Sequence, residues 1–145
     1  MYASGFRRLF LINAHATNGP PCQSALLQLR YEHPDLNVRF VSVFDLTPEI
    51  AARYRSDADD FHANEAETSL MLHAAPDQVR LEKAVDEEDR TVGRVWQYAM
   101  PAVSRSGVVG EPTRAEAPAG ASLLEHVVAA LVDLLSSARG ERVEL

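Results

Sequence analysis

A chain of 145 residues is long enough for a real hydrophobic core and fits one domain, taken here as residues 1–145. Its 46% hydrophobic and 24% charged residues are the composition of an ordinary soluble globular protein. A net charge of -7 and a pI near 5.2, with no basic face, exclude a nucleic-acid partner held through its phosphates.

The elements follow in chain order. "RRLFLIN" is a short apolar run ending in Asn13 and a polar loop, which predicts a buried strand of a parallel sheet. "PPCQSALLQLRYEH" carries Ala25, Leu26, Leu29 and His33 at helical spacing and is closed by Pro34. "NVRFVSVFDL", with Val38, Phe40, Val41, Val43 and Phe44, predicts a second strand. Strand, helix and strand make a βαβ unit.

Residues 45–61 predict a short helix and a loop. Residues 65–75 read as a helix with Leu70, Met71, Leu72 and Ala75 on its apolar side, ended by Pro76. The charged residues 82–94 predict a solvated surface loop. "VWQYAMPAVSRSGVVGEPTRAEAPAGA" reads as loop with little regular structure. "SLLEHVVAALVDLLSSAR" predicts a final helix with Leu124, Val127, Val128, Leu131, Leu134 and Leu135 on one stripe. Ser122 and Glu125 would form its capping box, and Gly140 would close it.

The fold class is therefore α/β with an open, mostly parallel sheet. The N-terminal apolar run is too short for a signal-peptide core, and no run approaches a membrane span. Cys22 is alone, so no internal disulfide forms. These features predict a cytoplasmic protein with no membrane partner; Cys22 reads as a small buried thiol rather than a nucleophile.

Ligands in such sheets bind beyond the carboxyl ends of strands, where loops leave for helices. "NAHATNG" lies at that kind of end, which places His15 where function is expected. Taken alone, His15 reads as well as a loop histidine bonded to a carbonyl. In "FHANEAETS", Glu65 and Glu67 fall in a helix's first turn, where the dipole favours negative charge. That explains Glu65 as well as any function does. It fits Glu67 less well, because burial against "LML" would call for a cation or metal beside it. His62 and Glu67 suit an acid/base pair, metal ligands, or both. Trp96 and Tyr98 read as core or lid packing, and His33, His73 and His126 as surface or packing residues. "GVVGEP" is too sparse in glycine for a phosphate loop, and no Ser/His/Asp triad is legible.

Three stretches together resemble the creatininase (creatinine amidohydrolase) family of metal-dependent hydrolases. "LFLINAHATN" resembles its strand followed by Asn-Gly-His-Gly-Gly-Asn. "FHANEAETSLMLHAAPDQVR" is similar to its His-Ala-Gly-x-x-Glu-Thr-Ser-x-Leu-Met-Leu motif. "GVVGEPTRAEAPAG" resembles its Gly-x-x-Gly-Asp-Pro-x-x-Ala-Thr-Ala-Glu-Lys-Gly segment.

The resemblance implies a three-layer α/β fold with helices flanking a mostly parallel sheet. It also implies hydrolysis of a cyclic amide or related non-peptide C–N bond by metal-bound hydroxide. It makes His15 a metal ligand and Glu67 a metal ligand or proton shuttle. His62 becomes the acid/base or substrate-orienting residue, with Asn18, Glu65 and Trp96 beside the substrate. Creatinine, another cyclic amide, a formamide and a peptide bond all suit the shared motifs, and zinc, manganese or iron all suit the ligands.

Family members carry a long segment ahead of the first matching strand, with a Gly-Ser-x-Glu-Gln-His-Gly motif and a downstream Asp that supply most metal ligands. Residues 1–12 do not resemble it, so the N-terminal part of the family fold is expected to be absent and the metal site incomplete. Ala14 and Ala16 replace glycines and narrow a tight loop. Thr17 stands at a position where creatininase has a ligating glutamate, and Pro118 and Ala119 at a Glu-Lys pair. Asn64 stands at a glycine, where it is expected to accept a left-handed backbone. The expected partners are a small-molecule amide and either further copies of the chain or a ligand-supplying subunit. The alternative is a non-catalytic creatininase-like binding or assembly module; more remote is an unrelated α/β domain whose histidines only pack.

Overall fold

The computed structural model describes residues 1–142. The chain folds as two compact units, Met1–Leu46 and the part from Thr47 onward.

The first unit is the expected βαβ, although β1 is not the buried strand expected: Asn13 alone of its residues is buried, and Ile12 is 52% exposed. Strand β1 (Arg8–Asn13) pairs in parallel with β2 (Asn37–Ser42), with Leu9 opposite Val38, Leu11 opposite Phe40 and Asn13 opposite Ser42. Helix α1 (Gly19–Glu32) connects them, its first turn preset by Pro20 and Pro21, whose missing N–H groups have no partner to lose there. The half-buried face of α1 is Cys22, Leu26, Leu29 and then His33, with Ala25 exposed, so Cys22 takes the place expected for Ala25. His33 packs, as expected, stacking on Tyr2 with ring centroids 4.0 Å apart. Val43–Asp45 leave β2 as a 3-10 turn rather than continuing the strand.

The second unit is helical. Helix α2 (Pro48–Tyr54) starts at Thr47, whose hydroxyl accepts from the Ile50 N–H at 3.2 Å. Helix α3 (Glu65–Ala74) ends before Pro76, as the sequence predicts. Of residues 95–121, read as loop, 95–116 are mostly irregular, with one short helix, α4 (Met100–Val103), and a 3-10 turn at Pro112–Arg114, whereas 117–121 are helical. Helix α5 (Ala117–Gly140) packs along α3. The core comprises Ile50, Tyr54, Phe61, Ala66, Val103, Val109, Leu123 and Val127.

Two expectations for α5 are corrected. It begins at Ala117, five residues before Ser122, so no Ser122–Glu125 capping box closes its end. Pro118 in the first turn permits the early start, and the Glu116 N–H is met instead by the Ser69 hydroxyl of α3 at 3.0 Å. Its apolar residues also do not form one buried stripe. Gly120, Leu123 and Val127 are buried, whereas Leu124, Val128, Val132 and Leu135 form a second, exposed row. With 24 residues and a mean hydropathy of 1.5, α5 is long and apolar enough to cross a membrane by length and composition. That departs from the sequence expectation. Only its Gly120, Leu123 and Val127 row is buried, and 17% of the apolar window is covered within the chain.

Candidate functional site

The sequence-predicted residues lie at three places. His15 and Asn18 belong to the loop after β1. Asn13 is the organiser of that loop: its Oδ1 accepts from the His15 N–H at 3.2 Å and from Asn18 Nδ2 at 3.1 Å. Its Nδ2 donates to the His15 carbonyl at 2.8 Å and to Ser42 Oγ at 3.0 Å. These bonds leave His15 exposed and commit part of the Asn18 amide to the loop itself. Among the described residues the only positive φ outside glycine is at Ala63, so Ala14 and Ala16 impose no strain where the family has glycines.

His62, Glu65 and Glu67 surround the start of α3, in the second unit. The left-handed residue there is Ala63, with φ 49°, and not Asn64, which is extended at φ -79° and ψ -170°. The expectation for Asn64 is thus corrected. Its fully buried side chain does different work: Oδ1 accepts from the Glu67 N–H at 3.1 Å, capping the helix. Its Nδ2 donates to the Tyr54 carbonyl at 2.8 Å and to Asp57 Oδ1 at 2.6 Å. Asp57 Oδ2 accepts from the N–H groups of Glu65 at 3.0 Å and Glu111 at 2.7 Å, tying the helix start to the 107–111 segment.

Glu67 reaches back so that Oε2 accepts from the Ala63 N–H at 2.7 Å, and Thr68 Oγ1 donates to the Ala63 carbonyl at 3.3 Å. This is a capping box displaced by one residue, and it holds a backbone conformation that costs alanine about 1–2 kcal/mol. A structural reading of Glu67 is therefore stronger than its sequence position implies. Glu67→Ala should lower stability by about 1 kcal/mol in urea unfolding, the worth of one hydrogen bond. No change would remove the Ala63 contact from the account. Burial, with the neighbouring Glu67 charge, pushes the Tyr54 phenol up to about 12, so it stays protonated beside that carboxylate.

His62 pairs antiparallel with Val109 through N–H···O bonds of 3.1 and 2.8 Å. Its Nδ1 lies 2.6 Å from the Gly107 carbonyl. A carbonyl only accepts, so Nδ1 carries the proton, and in the neutral ring the lone pair lies on Nε2. Glu65 accepts from the hydroxyls of Ser56 at 3.5 Å and Ser69 at 3.2 Å. Trp96 is apart from the α3 start in sequence and is 75% exposed, which removes the core-packing reading but not a lid.

Residues 82–94 are more than a solvated loop. Irregular segments leave N–H groups without ladder partners, and the carboxylates here serve them. Asp86 accepts from the Thr113 N–H at 3.0 Å, and Asp89 from the N–H groups of Asp59 at 3.1 Å and Asp60 at 3.0 Å. Glu87 gathers Ser104, Arg105 and Ser106 on its two oxygens. Those donors hold its carboxyl down at about 2, against an ordinary 4.5. A depressed carboxyl contributes its hold fully above the unfolded value and loses it as the pH falls towards the folded one, a window from about 4.5 to 2. An open cleft of about 520 Å³ lies beside this network, lined by Arg55 with Asp57, Asp59, Asp89 and Glu111 among others, and does not include His62 or Glu67.

Nothing in the sequence marked Asn13, Asp57, Glu87 or Gly107 as organisers of these loops. Asp57, Glu87 and Gly107 act on groups from distant segments, which leaves no local pattern to read, whereas Asn13 works within its own loop, on His15 and Asn18. Among the described residues, no group of three or more His, Cys, Asp or Glu side chains is disposed to hold a metal ion. A catalytic zinc normally takes three protein ligands, so these side chains do not make a metal centre by themselves.

The family model described as creatinine amidohydrolase (Creatininase) matches residues 1–135. The chain is similar to the mycofactocin precursor peptide peptidase of Mycolicibacterium smegmatis, 28% identical over 139 residues, covering 93% of this chain and 51% of that protein. A structure from Bacteroides fragilis superposes with a TM-score of 0.83 at 24% identity, over 99% of this chain and 58% of the other. A manganese creatininase structure superposes at 0.77 with 27% identity, over 97% and 60%. The chain thus spans about half the length of its curated relative.

Proposed function

This chain belongs to the creatininase (creatinine amidohydrolase) family, and we propose that it forms part of a metal-dependent amidohydrolase. The observation that supports this most is the family match over residues 1–135, which includes the turn that holds His62 and Glu67. In this reading His62 handles the proton at Nε2, with its ring oriented by the Gly107 carbonyl. Glu67, fixed through one oxygen by Ala63, offers the other to a metal or a proton. Asn18, Glu65 and Trp96 are proposed substrate contacts, and His15 a proposed metal ligand.

Structures of related creatininases are of zinc and manganese forms, which makes a divalent metal the proposed cofactor. When bound, it would supply a polarised amide carbonyl and an activated water. Too few ligands stand together among the described residues, so we place the remaining ones on another polypeptide segment or copy. The exposed row Leu124, Val128, Val132 and Leu135 on α5 gives such association an apolar surface. The bond cleaved is proposed to be an amide C–N bond. A small cyclic amide is the first candidate; the peptidase named among the relatives gives a peptide bond a specific claim as the second.

Size-exclusion chromatography with light scattering and in-line plasma mass spectrometry, after dialysis against zinc or manganese, tests this reading. Metal should elute with a species heavier than the 16.0 kDa chain and be lost in His15→Ala. Fractions holding metal should then hydrolyse creatinine or a peptide amide. A 16.0 kDa monomer loaded with stoichiometric metal would contradict the shared site. No retained metal in any fraction would favour a non-catalytic binding or assembly module.

A further inference from the structure

The 107–110 segment lies between two others. On one side Val109 exchanges backbone hydrogen bonds with His62; on the other Gly110 exchanges them with Glu87, at 3.0 and 2.8 Å. The loop that leads into it, Ser104–Gly107, has no regular structure and is folded around one carboxylate. Glu87 Oε1 accepts from the Arg105 N–H at 2.8 Å, and Oε2 from Ser104 Oγ at 2.9 Å, from the Ser106 N–H at 3.0 Å and from Ser106 Oγ. Ser104 Oγ in turn accepts from the Gly107 N–H at 2.9 Å. Gly107 sits at φ +86°, which turns its carbonyl onto His62 Nδ1 at 2.6 Å.

We propose that Glu87 is a positioning residue for His62: by folding Ser104–Gly107 it presents the Gly107 carbonyl to Nδ1 and fixes that imidazole as the Nδ1–H tautomer. The glutamate side chain is only 11% exposed. It meets four donors and touches His62 nowhere, so its influence passes through backbone. Arg90, 3.5 Å away and half exposed, is a weak partner that cannot replace those donors. The consequence is chemical. A ring held by Nδ1–H turns the basic nitrogen, Nε2, away from the loop, as a residue that accepts and returns protons requires. The inference rests on the reading of His62 as the proton-handling residue, but its test does not.

Long-range 1H–15N correlation spectra of the 15N-histidine-labelled chain, recorded well above the ordinary imidazole range, report the tautomer. His62 is assigned by the peaks that vanish in His62→Gln. The native ring should be the Nδ1–H form. In Glu87→Gln, one amide NH2 replaces an acceptor facing N–H donors, so the loop opens and the ratio should move about tenfold towards Nε2–H, the equilibrium worth of one hydrogen bond. Ser106→Ala removes one hydroxyl, which donates to Glu87 and accepts from the Val108 N–H at 3.2 Å, and should move it in the same direction by less. That variant carries the test if the glutamine variant does not fold.

A Glu87 that merely stabilised the fold would lower the urea midpoint and leave the ratio unchanged. Native His62 in the Nε2–H form, or an unchanged ratio in the variants that fold, overturns the proposal. A shifted ratio with undiminished amide hydrolysis supports the link to Glu87 and removes His62 from catalysis.

Discussion

Gly120→Ala should destabilise the chain by about 3 kcal/mol, the upper range for forcing atoms into a packed interior. Considered as helix chemistry alone, the change has the opposite sign, because alanine in a helix interior is favoured over glycine by about 1 kcal/mol. The packing decides. A Cβ on Gly120 would stand 1.9 Å from the Ser69 carbonyl oxygen and 2.3 Å from its carbon, with the Leu70 nitrogen at 2.8 Å. These are backbone atoms of α3, so no side-chain rotation relieves the contact. The two helices would have to separate, and with them the buried Leu123 and Val127 and the Ser69–Glu116 hydrogen bond. Urea unfolding at constant slope would read the loss as a lower midpoint. A stabilised Gly120→Ala would mean that α5 does not lie against α3 as closely as described.

That contact also shows why the start of α5 was not legible. A serine followed three residues later by glutamate, ahead of an apolar run, is a sound signature of a helix start. Here Ser122 is inside the helix, because the true start is satisfied by Ser69, 47 residues earlier in the chain. Local patterns did place β1, α1, β2 and α3, whose ends are set by near neighbours such as Pro20, Pro21 and Pro76. They failed where a tertiary partner does the capping. The single stripe read on α5 split for a related reason: apolar spacing gives a face, and only packing tells how much of that face α3 covers.

The site divides similarly. His62 and Glu67 were singled out as a histidine and a carboxylate at the start of an apolar helix and by their spacing in a motif of the family to which the chain belongs; their roles are those proposed above. The support beneath them was not, because carboxylates that serve backbone N–H groups need no companion in sequence. Glu87 reads as one more charge among "EKAVDEEDR", and Asp57 as one more in "SDADD". Their role is set by which irregular segments fold near them. The left-handed position was displaced by one residue for the same reason: Asn64 is claimed by Tyr54, Asp57 and the helix, so the turn falls to Ala63.

Asn64 is where these arguments can be separated. Asn64→Ala should cost about 3 to 4 kcal/mol: about 1 for the lost cap, and the rest for the buried Tyr54 carbonyl and Asp57 oxygen left without their donor. Asn64→Gly is the sharper comparison. At an ordinary helix cap glycine loses only a few tenths of a kcal/mol, and at a left-handed position it would gain. Here the backbone is extended and the side chain carries three hydrogen bonds inside the protein, so glycine should cost nearly as much as alanine. Asn64→Asp should recover little, since it keeps the cap acceptor but sets a second carboxylate against Asp57, where the amide now donates at 2.6 Å. Measured together in urea, alanine, glycine and aspartate should group well below the native midpoint. A glycine variant at or above the native midpoint would mean that Asn64 merely fills a glycine position, and that the grip of Asp57 on the His62–Glu67 turn does not pass through it.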